Sequence, residues 1–228
     1  MKEDICSIPV NEVLEVRDGC PICRMHHTLE EATLDFVLGA AMMEPDIRRD
    51  TNREGFCAAH FGAMMGRKNR LSLALMLQSH LELLGHDVFE KPGVFSREAK
   101  AARKAEEFTG SCYVCRRIGE QEGRLLHTFF LLWKKEREFR DNVAAQPSFC
   151  LPHYALLLER GAQELDKKSY PEFARALTDV TRKGLGALRE DVDAFCRSFD
   201  YRNSGDTPDA AKDAVPRAVL FLTGRSSQ

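Results

Sequence analysis

The sequence has no long apolar run, no excess of either charge and no stretch that alternates apolar and polar residues as a strand does. Each absence excludes something. Nothing approaches the roughly 18 uninterrupted apolar residues of a membrane-spanning helix. With 33 basic and 35 acidic residues, the formal charge of −2 provides no global positive field to draw the chain to nucleic acid. Met1 to Val10 lacks the basic region and apolar core of a secretory signal, so the expected location is the cytosol, where thiols stay reduced. The want of alternation leaves an all-α fold as the expectation.

Against these absences stands an ordinary globular composition, 43% hydrophobic and 30% charged over 228 residues. A chain of that length buries a sizeable core without help from metals or disulfides. Any metal site is therefore expected to organise part of the fold rather than to be its sole support.

Six of the eight cysteines fall into a pattern that occurs twice. The first copy is Cys20-Pro-Ile-Cys23, 33 residues, then Cys57-Ala-Ala-His60; the second is Cys112-Tyr-Val-Cys115, 34 residues, then Cys150-Leu-Pro-His153. The copies are offset by 92 residues at the first pair and 93 at the second, so one inserted residue reconciles them. Phe56 and Phe149 precede the third cysteine, Phe61 and Tyr154 follow the histidine, Glu30 matches Glu122, and Glu44 and Arg48 match Glu136 and Arg140. A repeat of this length points to a duplicated helical unit. We expect residues 1–93 as the first repeat and 94–228 as the second with a helical tail, packed as one globular unit.

Apolar residues at spacings of three and four predict a helix from about Arg24 to Met43, and its counterpart from Arg116 to Phe139. Asp46 to Gly55 and Asn142 to Ser148 read as polar connections. Further helices are expected over Leu71–Leu84, Arg97–Phe108, Tyr154–Leu165, Phe173–Phe199 and about Ala210–Leu222. Pro92-Gly93 should form a turn, Ser96 an N-cap, and Asn203-Ser204-Gly205 a loop.

Two cysteines separated by two residues bend around one metal ion, and a Cys-x-x-His pair on the first turn of a helix does likewise, since i and i+3 share a face. Two such pairs supply the complete tetrahedral shell of a structural zinc site. The simpler expectation pairs ligands within each copy. One zinc ion would be held by Cys20, Cys23, Cys57 and His60, the other by Cys112, Cys115, Cys150 and His153. An exchange of halves, with Cys20 and Cys23 meeting Cys150 and His153, satisfies the same spacings.

Other chemistry fits less well. Dithiol exchange at Cys20-Pro-Ile-Cys23 lacks the preceding strand of a thioredoxin-like unit. Iron–sulfur clusters prefer four cysteines each, and covalent haem attachment needs histidine where Arg24 and Arg116 stand. A closed four-ligand shell argues against catalytic zinc. His26 and His27 read as helix-end residues, His80, His86 and His127 as surface or packing residues, and Cys6 and Cys196 as small apolar ones. Met42-Met43 and Met64-Met65 read as core filling, and the basic run Arg97 to Lys104 as a solvated helix face. No set of catalytic residues emerges.

These motifs resemble a family of uncharacterised bacterial proteins of about this length. The matching residues are Ile8-Pro9-Val10, Gly19-Cys20-Pro21-Ile22-Cys23, Gly55-Phe56-Cys57 to His60, Ser148-Phe149-Cys150 to His153, Phe199-Asp200-Tyr201-Arg202 and Ala218 to Gly224. The resemblance implies a mostly helical protein with two zinc sites and carries no activity with it. The resulting expectation is a non-enzymatic zinc protein that presents a surface to protein partners. A zinc-thiolate regulator responsive to redox state or metal is the alternative, and nucleic-acid binding through the Arg97 to Lys104 helix is a third reading.

Overall fold

A computed structural model describes residues 7–90, 97–199 and 208–224. The structure is 84% helical, with no strand among the described residues. The helices in order are α1 (Ile8–Glu15), α2 (Pro21–Leu38), α3 (Pro45–Glu54), α4 (Ala58–Met65), α5 (Arg70–Leu84) and α6 (Arg97–Thr109). They continue as α7 (Tyr113–Lys135), α8 (Arg137–Ala144), α9 (Leu151–Glu164), α10 (Ser169–Ser198), α11 (Asp209–Lys212) and α12 (Ala214–Thr223). A 3-10 turn at Ala40–Met43 follows α2, and a π-helical turn at Gly85–Glu90 extends α5. No described helix is long and apolar enough to cross a membrane.

The chain divides into two compact units. Of the described residues, 7–27 and 122–224 form the first, and 28–90 with 97–121 the second. The first unit is built around aromatic rings packed edge-on. The ring of Phe173, from α10, lies 5.1 Å from Trp133 and 5.4 Å from Phe130, both on α7. Phe139 of α8 stands 5.0 Å from Phe129. Centroid separations of this size with near-perpendicular planes suit the ring quadrupoles. The second unit has an aliphatic and sulfur-rich core, in which Leu34, Val37 and Leu38 of α2 pack with Met64, Leu73, Met76 and Ile118.

Two stretches read as polar connections are helical. Residues 46–55 are mostly α3, because Pro45 occupies its first position, Asp46 favours its N-terminus and Arg53 its C-terminus. Gly55 ends it at φ +58°, a left-handed conformation that costs glycine little. The stretch from Asn142 likewise begins inside α8. Low apolar content hid both, since their hydrophobic stripes are narrow. Helix α1, started by Pro9, carries Val10, Val13 and Leu14 into the core and went unread for the same reason. Cys6, the Pro92-Gly93 turn, the Ser96 cap and the Asn203-Ser204-Gly205 loop lie outside the described residues.

Candidate metal centres

All eight candidate ligands converge into two groups of three cysteines and one histidine, with the potential ligand atoms of each group within 4.8 Å of one another. The first unit holds Cys20, Cys23, Cys150 and His153; the second holds Cys57, His60, Cys112 and Cys115. The pairing expected within each copy is thus corrected: each Cys-x-x-Cys meets the Cys-x-x-His of the other copy.

The physical reason lies in loop anchors: local hydrogen bonds hold each Cys-x-x-His loop against its actual partner. In the second unit the Tyr113 amide donates to the Gly55 carbonyl (3.0 Å), the Ser111 hydroxyl to the Glu54 carbonyl (2.7 Å), and Arg116 Nε to the Glu54 carboxylate (2.6 Å). In the first, the Gln146 amide donates to the Leu14 carbonyl at 2.7 Å, tying the loop before Cys150 to the segment that leads to Cys20.

Both histidines present Nδ1 to the sulfurs. His153 Nδ1 lies 3.1 Å from Cys150 Sγ, 3.3 Å from Cys23 and 3.6 Å from Cys20, and Cys23 and Cys150 are 3.5 Å apart. His60 Nδ1 lies 3.2 Å from Cys57, 3.3 Å from Cys112 and 3.4 Å from Cys115, with Cys57 and Cys115 3.9 Å apart. The third cysteine of each copy is the N-cap of its helix (α4 or α9), so the histidine three residues on sits in the first turn and faces the same way.

Crowding makes these thiols behave unequally. Hydrogen bonds from Cys150 and Cys23 lower the Cys20 pKa from 9.0 to about 3. Its thiolate in turn pushes Cys150 well up. In the second group, burial and then the neighbouring Cys112 push the Cys115 thiol up to about 12. A group of this kind sustains one thiolate and resists a second, and a divalent cation at its centre removes that repulsion.

Glu30 went unassigned as a site residue although its match to Glu122 was visible. Only 8% exposed, it sets a carboxylate oxygen 3.2 Å from His60 Nε2, on the ring edge away from the sulfurs. Three other histidines have contacts away from the two groups. His80 Nδ1 donates to the Asn52 carbonyl at 2.8 Å, His127 faces Glu164 at 2.8 Å, and His26 lies 3.6 Å from Glu122. In the basic run, Arg103 and Lys104 both pair with Glu107.

Glu54 gives the second centre a pH-dependent support. Burial opposes its ionisation, but hydrogen bonds from Arg116 and Arg53 outweigh that and hold its pKa below the ordinary value. A depressed carboxyl stabilises the fold above its unfolded pKa and loses that contribution as pH falls through the folded value. The stability advantage of the parent over Glu54→Gln should therefore be full at neutral pH and shrink below about pH 4.3. Urea midpoints of both proteins across that range measure it, and a constant difference would refute the assignment.

The fold and the two groups define an all-helical protein with paired sites able to bind metal. The chain belongs to a family of unknown function, DUF6062, which matches residues 1–228. No curated protein and no solved structure matches it.

Proposed function

We propose that this protein is a cytosolic, non-enzymatic scaffold, made of a duplicated helical unit, in which two zinc ions pin the helices that present a surface to protein partners. The observation that carries the reading is the spacing of the ligand atoms. With Zn–S near 2.3 Å and Zn–N near 2.0–2.1 Å, a regular tetrahedron has edges of about 3.8 Å between sulfurs and about 3.6 Å between sulfur and nitrogen. The sulfur–nitrogen separations of 3.1–3.6 Å, with Cys23–Cys150 at 3.5 Å and Cys57–Cys115 at 3.9 Å, lie close to those edges, and all ligand atoms of each group stand within 4.8 Å of one another. Three soft sulfurs and one imidazole suit zinc, and four protein ligands close its shell, which fits a structural ion. Val215, Val219 and Leu222 lie exposed along α12, as a partner-binding surface would have them.

The test is elemental mass spectrometry on full-length, untagged protein purified without added metal. About two zinc ions per chain are expected, and their removal by chelator should lower the melting temperature, because structural zinc binding contributes folding free energy directly. Metal-free protein of unchanged stability would sink the proposal.

Glu30 refines it. The Glu30 carboxylate, 3.2 Å from His60 Nε2, would favour a neutral His60 that binds metal through Nδ1 and keeps its proton on Nε2, raising the basicity of the ligand. Glu30→Gln should weaken zinc at the second centre by about tenfold or more. Competition with a chromogenic chelator reads this directly, and an unchanged affinity would remove Glu30 from the centre.

The exposure of Cys115, with Cys57 Sγ 3.9 Å away, favours a second reading in which this centre responds to oxidants. A peroxide would take two electrons from two thiolates and two protons from water. An S–S bond would form, the O–O bond would break to give water, and zinc would leave. Zinc release by mild peroxide, reversed by thiol and added zinc, is the expected sign; inert centres would exclude it.

A further inference from the structure

A cavity of about 610 Å³ opens beside the metal group of the first unit, a volume typical of small-molecule sites. Cys20, Cys23 and Cys150 line it, and His153 does not, so the group turns its sulfur face to the cavity. Cys150 is only 3% exposed, whereas Cys20 and Cys23 are half-buried. Apolar side chains complete much of its wall, among them Pro147, Leu188, Leu220 and Phe221.

Charge at the rim is nearly balanced. Arg24 is paired with Asp18, and Arg217 with Asp191 and Asp213. Arg17 adds one positive charge, and a zinc ion with three thiolates and a neutral imidazole one negative charge. Such a cavity favours an uncharged, largely apolar occupant.

We infer that the cavity binds a small, uncharged electrophile of the alkylating class, and that the zinc-bound thiolate of Cys20 or Cys23 takes its alkyl group. The inference rests on the zinc reading of that centre. Metal coordination keeps the sulfur deprotonated at neutral pH and so activates it as a nucleophile. A sulfur lone pair forms the S–C bond while the bond from carbon to the leaving group breaks, and the leaving group departs as an anion with that electron pair. Sulfur becomes a neutral thioether, a weaker ligand, and the centre passes from one negative charge to none. Modification of the cavity would thereby loosen the metal pin of this unit.

The experiment uses full-length, zinc-loaded protein and N-benzyliodoacetamide, whose apolar ring fits the cavity, with site-resolved mass spectrometry as the readout. Labelling at Cys20 or Cys23 should saturate with reagent concentration, whereas the exposed Cys115 and Cys196 should label in simple proportion to it. Ala187 lines the cavity from an exposed position on α10, so Ala187→Trp and Ala187→Phe fill the space without entering the core. Both should slow labelling at Cys20 and Cys23 by about tenfold, the scale on which lost positioning is felt, and leave Cys115 and zinc content unchanged. Proportional labelling no faster than at Cys196, or indifference to both variants, would overturn the inference and leave the zinc reading standing. Protein that never carries zinc in this centre would overturn both.

Discussion

The double variant Cys20→Ser, Cys57→Ser should lose both zinc ions, whereas Cys20→Ser, Cys150→Ser should lose only one. The contrast follows from the groups themselves: Cys20 and Cys150 share a centre, while Cys20 and Cys57 belong to different ones. Pairing within each copy makes the opposite forecast, with one ion left in the first variant and none in the second. Serine is too weak a donor to replace a thiolate, and a shell of three ligands opens the ion to water. Each lost ion should also cost several kcal/mol of stability in its own unit, a fraction of the roughly 10–16 kcal/mol that structural zinc binding releases. Zinc-to-protein ratios on the two variants read the outcome.

Gly184→Ala should destabilise the first unit by about 2–3 kcal/mol and weaken its metal centre while sparing the other. A β-carbon at Gly184 would lie 2.5 Å from Cβ of Ser148 and 2.7 Å from the Pro147 carbonyl oxygen. No real contact is that short, and one of the two atoms is backbone, so either α10 or the loop must move. That loop runs straight into Phe149 and Cys150, the former fully buried and the latter a ligand. Displacing it pulls Cys150 and His153 away from Cys20 and Cys23. Denaturant midpoints would give the stability loss, and competitive chelation should show one ion weakened and one unchanged. Loss of both, or of neither, would refute the coupling.

The helical class and the eight residues that gather into the two groups were legible because both rest on local signals. Apolar spacing of three and four follows from the 3.6-residue turn, and Cys-x-x-Cys and Cys-x-x-His set two donors on one side of a turn whatever the rest of the chain does. Helices α5 and α6 lie within a residue or so of their expected bounds for the same reason. Helices α1, α3 and α8 were not legible, because each is short and buries only two or three residues, too few for a period to show.

By itself, then, the sequence determined an all-α chain and the eight residues that form two groups able to hold a metal ion. Which four ligands share a centre was decided only in three dimensions. Ligand spacing is indifferent to the exchange, since either pairing fills a tetrahedron. The choice falls to the hydrogen bonds from Tyr113, Ser111 and Gln146 that hold each loop to the other copy's cysteines. The carboxylate of Glu30 beside His60 and the cavity over Cys20 and Cys23 are decided in the same way. They depend on which faces of distant segments meet, and no spacing along a single chain encodes that.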